Sequence, residues 1–234
     1  MDVALSPDMI HAWSLSRMTV VVTDILRASS SITAGIYGGV PAIRPVETVH
    51  RRQYWRNRGY LLGGERHGEM IDDFDLGNAP EDYLRAGKQG KKIIMTTTNG
   101  TRAVQASKQA EALLIGAFLN LNTIAGYLQE RRPPLLIVCA GWRGKSSLED
   151  TLFAGALIDR LREAYAHTSL GDGAQLALAA YERFRKNLLE AVQESSHGQR
   201  LVGLDREQDV AFCLQQSKYP VLPVLRGEEI VAFG

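Results

Sequence analysis

The chain has 234 residues, 45% of them hydrophobic, a formal net charge of +1 and two cysteines. That length allows one large or two small domains around a substantial core, and that hydrophobic share excludes a disordered chain. The charge balance gives no basic excess for nucleic acid, and Cys139 and Cys213 are too few for a disulfide scaffold or a zinc cluster.

Val20-Val21-Val22 predicts a strand closed by Asp24, and Ile25 to Ile32 leads into a helix of small residues that Gly38-Gly39 ends. Val40 to Val46 carries two prolines, which predicts an edge strand at most. Glu47 to Arg58 reads as a polar helix and Tyr60-Leu61-Leu62 as a short strand stopped by Gly63-Gly64. Glu65 to Ala79 has no periodicity, and an irregular segment of that length between regular elements is expected to be functional. Asn78, Pro80 and Glu81 mark a helix start running through Arg85.

Ile93-Ile94-Met95 predicts a buried strand. It opens into Thr96-Thr97-Thr98-Asn99-Gly100 and turns helical through Thr101-Arg102. A strand, a tight turn and a helix start present backbone N–H groups to an anion, although the same residues also serve as plain caps and turns. Ala112 to Ile115 is a strand, Asn120 caps a helix with Leu121, Ile124, Ala125 and Leu128 on one face, and Pro133-Pro134 resets the chain. Leu135 to Cys139 is a strongly apolar strand, followed by the loop Ala140 to Ser147 and a buried helix from Leu148 to about Arg162. Beyond Gly171-Asp172-Gly173, the residues Ala177, Tyr181, Phe184 and Leu188 mark an amphipathic helix, and Ser195 to Gly198 reads as a turn. Asp205 to Gln215 is helical, and Val221 to Leu225 and Ile230 to Phe233 are terminal strands.

Strands alternating with helices predict an α/β fold with a mostly parallel sheet, whose ligands gather at the carboxyl ends of the strands. Polar corners follow three strands: Asp24 and Arg27, Thr96 to Arg102, and Gly141 to Asp150. Asp24, Glu65, Glu149 and Asp150 supply the hard oxygens that Mg²⁺ prefers, against the simpler reading of helix-dipole partners and an Asp24–Arg27 structural pair. Arg27, Arg66, Arg102, Arg143 and Lys145 lie in or beside these corners and suit a small, multiply anionic substrate. His67 and His197 are candidate general acids, while the apolar setting of Cys139 favours an inert thiol.

Two motifs mislead. Gly144-Lys145-Ser146 imitates the end of a nucleotide-binding P-loop, but Cys139 stands where that loop needs its first glycine. Asp24 imitates a haloacid-dehalogenase nucleophile, but Leu26 replaces the second aspartate.

Val20 to Ser31, Gly64-Glu65-Arg66, Phe74 to Pro80, Thr96 to Arg102, and Cys139-Ala140-Gly141 through Ser147 to Asp150 occur in that order. Together they make the chain resemble the 2-phosphosulfolactate phosphatase family (the ComB-like proteins) from about Val20 to the last strands. Ala79, where the family usually has serine, and Asp73, where it usually has glycine, depart from the pattern and bear on loop shape. The resemblance implies a three-layer α/β/α fold with a mixed, mostly parallel sheet. It also implies a Mg²⁺-dependent phosphatase for phosphate monoesters of small 2-hydroxy acids, with 2-phospho-3-sulfolactate as reference substrate and a product leading toward coenzyme M.

Residues 1–234 are thus expected to form a single α/β phosphatase domain that allows two closely packed lobes. Asp24, Arg27, Glu149 and Asp150 are the expected catalytic residues, and Asp24, Glu65, Glu149 and Asp150 the expected Mg²⁺ ligands. Arg66, Thr98, Asn99, Gly100, Thr101, Arg102 and Lys145 are expected to bind substrate. The competing function is a non-catalytic small-anion-binding or regulatory protein on the same scaffold. Residues Met1 to Pro7 lack the blocks of a signal peptide, and no apolar run approaches a membrane span. A cytoplasmic location follows as an expectation, with a phosphate-ester substrate as partner, room for a homodimer, and neither nucleic acid nor membrane.

Overall fold

The apolar runs form strands buried on both faces. All residues of β2 (Thr19–Thr23) and β8 (Leu135–Cys139) are buried. Side chains of a strand alternate between faces, and here the alternation separates two cores. Val21, Leu135, Ile137 and Cys139 join one apolar cluster, while Val20, Val22, Leu136 and Val138 join the other. Helices must therefore cover both faces, and the chain takes up a three-layer α/β/α arrangement. The computed structural model describes residues 1–234.

The other strands are β1 (Asp2–Ala4), β3 (Ile43–Pro45), β4 (Leu61–Arg66), β5 (Glu69–Met70), β6 (Ile93–Thr96), β7 (Ala112–Ile115), β9 (Pro223–Arg226) and β10 (Glu229–Ala232). They form one ten-stranded sheet in the order β1-β8-β2-β7-β9-β10-β3-β6-β4-β5. Helices α5 (Leu121–Arg131), α6 (Leu148–Leu161) and α7 (Asp172–Phe184) pack on the first cluster. Helices α1 (Ala28–Gly38), α3 (Pro80–Gly87) and α4 (Gly100–Ala106) feed the second. The short α2 (Arg52–Arg56) lies near the far edge, and α8 (Leu188–Glu194), α9 (Ser196–Val202) and α10 (Glu207–Cys213) follow α7. No helix is long and apolar enough to cross a membrane.

The sheet has two parallel runs. β1, β8, β2 and β7 pair in parallel, as do β3, β6 and β4. The hairpin of β9 and β10 joins them through antiparallel pairs with β7 and β3. Each junction rests on one register pair, Leu114 with Val224 and Ile43 with Ile230. Such sparse pairing leaves the sheet free to twist, and the carboxyl ends of β4 and β6 come round to meet those of β2 and β8 in one cavity.

Several local expectations change. β3 lies inside the sheet, not at its edge, because Pro41 falls outside the strand and Pro45 is its last residue, where a missing N–H matters least. The helix expected from Glu47 shrinks to α2, and Glu65-Arg66 extend β4 into a hairpin with β5. Leu188 begins α8 and does not continue α7, and the turn expected at Ser195 to Gly198 is the start of α9, with the Ser195 hydroxyl accepting the Gly198 N–H.

The helix that carries the first polar corner is seated by a close backbone crossing. A Cβ on Gly87 of α3 would lie 2.2 Å from the Gly38 carbonyl oxygen of α1. Gly87→Ala should therefore force the helices apart and destabilise the protein by roughly 1–3 kcal/mol. In a thermal melt that is a fall of about 2–4 °C per kcal/mol, and an unchanged melting temperature would show that the crossing tolerates a methyl group.

Candidate active site

The site is assembled from strand ends. Asp24 follows β2 directly; its N–H donates to the Ser29 hydroxyl at 2.6 Å, and its Oδ1 accepts the Ala28 N–H at 3.2 Å. The carboxylate thus sits over the start of α1. Asp150, in the first turn of α6, accepts the Ile25 N–H at 2.8 Å and the Gly141 N–H at 3.0 Å. One carboxylate thereby ties the loop after β2 to the loop after β8. Gly141 has φ +66°, and a Cβ there would stand 2.2 Å from the Lys145 carbonyl oxygen, so this tight turn requires glycine.

Glu65 makes the matching tie on the second parallel run. Its Oε1 accepts the Thr98 N–H at 2.7 Å, and its Oε2 accepts the Gly68 N–H at 2.7 Å and the Thr98 hydroxyl at 3.2 Å. The ends of β4 and β6 and the β4–β5 turn are held together by this one side chain. Gly100 closes the gap between the runs: a Cβ there would come within 2.6 Å of both Asp24 Oδ2 and the Ala28 Cβ.

These ends surround one cleft, lined mostly by polar and charged residues. Asp24 and Arg27 reach it from the β2–α1 loop, and Glu65, His67 and Gly68 from the β4–β5 hairpin. Asn78 enters before α3, Thr98 and Asn99 before α4, Trp142 and Arg143 after β8, and His197 and Arg200 from α9.

The electrostatics are lopsided at depth. Asp24, Glu65, Glu149 and Asp150 are all buried. Burial pushes the Asp24 carboxyl well above its usual range, and the Asp150 charge adds to this. Asp150 is raised by burial and then by Glu149. Neither has a Lys or Arg partner. The Asp24–Arg27 pair does not form, because Arg27 is ion-paired to Asp209 of α10 and donates to the Gly68 carbonyl at 3.0 Å. Glu149 Oε1 lies 2.7 Å from His197 Nδ1, and Glu149 Oε2 is buried with no partner.

A cluster of desolvated carboxylates short of positive charge is a donor set that suits a cation. No three His, Cys, Asp or Glu side chains come together in a group that could hold a metal ion by themselves. Mg²⁺ needs no such group, since it takes one or two carboxylates and completes its shell with water and substrate oxygens. Of the four expected ligands, Asp24 and Glu65 face the cleft. Asp150, whose oxygens accept backbone N–H groups as those of Glu65 do, differs in lying behind the cleft lining, and Glu149 backs His197.

The expected substrate contacts divide. Thr98 and Asn99 line the cleft and Gly100 abuts Asp24. Thr101 does not reach it: its hydroxyl donates to the Thr97 carbonyl, and its N–H donates to the Thr97 hydroxyl. Arg66 is turned back onto the carbonyls of Glu65 and Glu47 and the Thr96 hydroxyl. Arg102 is exposed and ion-paired to Asp8, and Lys145 is exposed in a turn whose backbone pairs with Trp142. None of these three cations lines the cleft. Arg200, Asn78 and Trp142 are lining residues that sequence reading did not select. Arg200 had one usable signal, its place three residues after His197 once both are helical.

The family described as 2-phosphosulpholactate phosphatase matches residues 4–228. A probable 2-phosphosulfolactate phosphatase of Thermotoga petrophila is 38% identical over 207 residues, covering 88% of each chain. Proteins with the same description from Caldanaerobacter subterraneus and Clostridium botulinum are 35% and 32% identical, covering 91% and 98% of this chain and 90% and 98% of their own.

Asp150→Ala and Asp24→Asn should shift stability in opposite directions. Asp150→Ala leaves two buried N–H groups without acceptors, at roughly 1–3 kcal/mol each, and should lower the melting temperature sharply. Asp24→Asn keeps an acceptor for the Ala28 N–H and removes a buried charge. Because the folded state holds the Asp24 proton above the ordinary value of 3.8, wild type gains stability from that proton at low pH and loses it as pH rises. In chelator, Asp24→Asn should melt at or above wild type, with the advantage growing from about pH 4 toward neutrality. An advantage that shrinks with pH would contradict this.

Proposed function

Because this chain belongs to the 2-phosphosulpholactate phosphatase family and so is a phosphoric monoester hydrolase, we propose that it hydrolyses 2-phospho-3-sulfolactate to 3-sulfolactate and phosphate with Mg²⁺ as cofactor. The observation that carries this reading is the make-up of one cleft: two buried carboxylates at depth, Asp24 and Glu65, and arginines and histidines around them. Carboxylates alone would repel a phosphate ester, and arginines alone would leave the carboxylates without compensation. A cation and a multiply anionic ester together balance both. The family membership also sets aside the non-catalytic anion-binding alternative.

Asp24 and Glu65 would hold the Mg²⁺, which when bound supplies charge stabilisation at the phosphoryl oxygens. The protein's own groups do the rest. Arg27 is 4% exposed and fixed by Asp209 and the Gly68 carbonyl, so it offers its remaining N–H donors to phosphate without reorganising. His197 is oriented through Nδ1 by Glu149 and stacked on Trp142 with ring centroids 5.3 Å apart, which leaves Nε2 to carry a proton to the departing ester oxygen. Asn78 Oδ1, buried and unpartnered at the cleft wall, is an acceptor for a water or for the 2-hydroxyl of the product.

Phosphate release from 2-phospho-3-sulfolactate should require added Mg²⁺ and stop in chelator. Asp24→Asn and Glu65→Gln should each need much more Mg²⁺ for half-maximal rate, since a neutral amide oxygen is a poorer donor to a hard cation. Mg²⁺-independent release, or midpoints unmoved in both variants, would remove the cation from this reading. His197→Asn should lower kcat by about 10²–10⁴-fold while the Mg²⁺ midpoint stays in place, and a kcat within twofold of wild type would exclude His197 as the proton donor.

A further inference from the structure

The cleft holds three arginines, and they are not equivalent. Arg27 is buried and neutralised by Asp209. Arg143 and Arg200 meet only neutral groups. The Arg143 guanidinium lies over the Trp142 ring, 4.6 Å from its centroid. Arg200 donates a long hydrogen bond of 3.3 Å to the His67 carbonyl. Both flank His197, one through the Trp142 ring that stacks on the imidazole at 15°, the other one helical turn along α9. Two uncompensated guanidinium groups therefore stand on the side of the cleft where the departing ester oxygen would meet His197. Asp24 and Glu65 line other loops of the same cleft.

The non-reacting part of a substrate leaves with that oxygen. Resting on the phosphatase reading above, we propose that Arg143 and Arg200 form an acid-group subsite that selects phosphate esters bearing a carboxylate or sulfonate near the ester carbon. The planar fork of guanidinium matches the paired oxygens of either group. The aromatic face under Arg143 restricts that side chain in advance. The two arginines handle the charge that hydrolysis leaves unchanged, while Asp24 and Glu65 would hold the Mg²⁺ that, when bound, supplies charge stabilisation at the phosphoryl group.

The test compares Arg143→Gln and Arg200→Gln with wild type on four esters at saturating Mg²⁺. These are 2-phospho-3-sulfolactate, 2-phospholactate without the sulfonate, 2-phosphopropanesulfonate without the carboxylate, and phenyl phosphate without either. Each variant should lose about 10- to 100-fold in kcat/KM on the first ester, mainly through KM, the range of a charge-assisted hydrogen bond. The loss should be at least tenfold smaller on phenyl phosphate, and the two intermediate esters show which acid each arginine serves. Lysine at either position should restore part of the loss. Equal losses on all four esters, or none, would overturn the subsite. Calorimetric binding of 3-sulfolactate with Mg²⁺ is read in parallel. If wild type turns over none of the esters, the substrate reading fails on its own, and weakened or unchanged 3-sulfolactate binding in the variants still decides the subsite. Absence of binding to wild type would overturn it as well.

Discussion

Asp150 accepts two backbone N–H groups from loops that follow different strands, and the geometry of the site descends from that pair of bonds. A carboxylate this deep is disfavoured unless hydrogen bonds replace its lost water. The Ile25 and Gly141 amides supply those bonds but no positive charge, so the negative field of Asp150 is passed on to its neighbours. Asp24 feels it directly, and Glu149 adds to it from the next position in α6. The same contact fixes Asp24 on one side and the Trp142 loop on the other. Rigidity and negative potential thus come from one residue that does not itself face the cleft.

The second half of the site depends on a different constraint. Glu65 gathers the ends of β4 and β6, but these strands belong to the parallel run across the β9–β10 hairpin. The halves close on each other only where the chain lacks a side chain, at Gly100, whose backbone rests against Asp24 and Ala28. Any Cβ there would push Thr98 and Asn99 away from the carboxylates. This accounts for the Asn-Gly sequence more fully than a helix cap or turn alone, since Asn99 makes no side-chain cap hydrogen bond.

What sequence could reveal was set by locality. Asp24 after three valines, the threonine-rich end of β6 and the acidic start of α6 are local patterns, and the structure places all three around one cleft or its wall. The α/β class with a mostly parallel sheet was likewise legible from strands alternating with helices, and the three layers were implied by the family resemblance. The partners of the cations that do not line the cleft were long-range questions. Arg102 turns to Asp8, 94 residues away, and Arg66 to the Glu47 carbonyl and Thr96, and no spacing rule reports such partners. The insertion of β9–β10 into the middle of the sheet was hidden for the same reason, since the two last strands could as well have formed an edge. Arg200 escaped notice because Ser195 to Gly198 has the composition of a turn. It becomes the start of α9 through the Ser195 cap.

A line of contacts runs from solvent to core through Arg143, Trp142, His197 and Glu149. Each member is held by the one beneath it. Glu149 is fixed in α6 and aligns the imidazole, the imidazole supports the indole, and the indole supports the guanidinium. An anion drawn to Arg143 therefore settles beside an imidazole whose orientation is already set from below. Buried carboxylates shape the cleft twice, at Asp24 and Glu65 by facing it and at Glu149 through the stack that rises from it. One helix start, Glu149-Asp150, thus braces both the loop that carries Asp24 and the imidazole beneath Trp142 and Arg143.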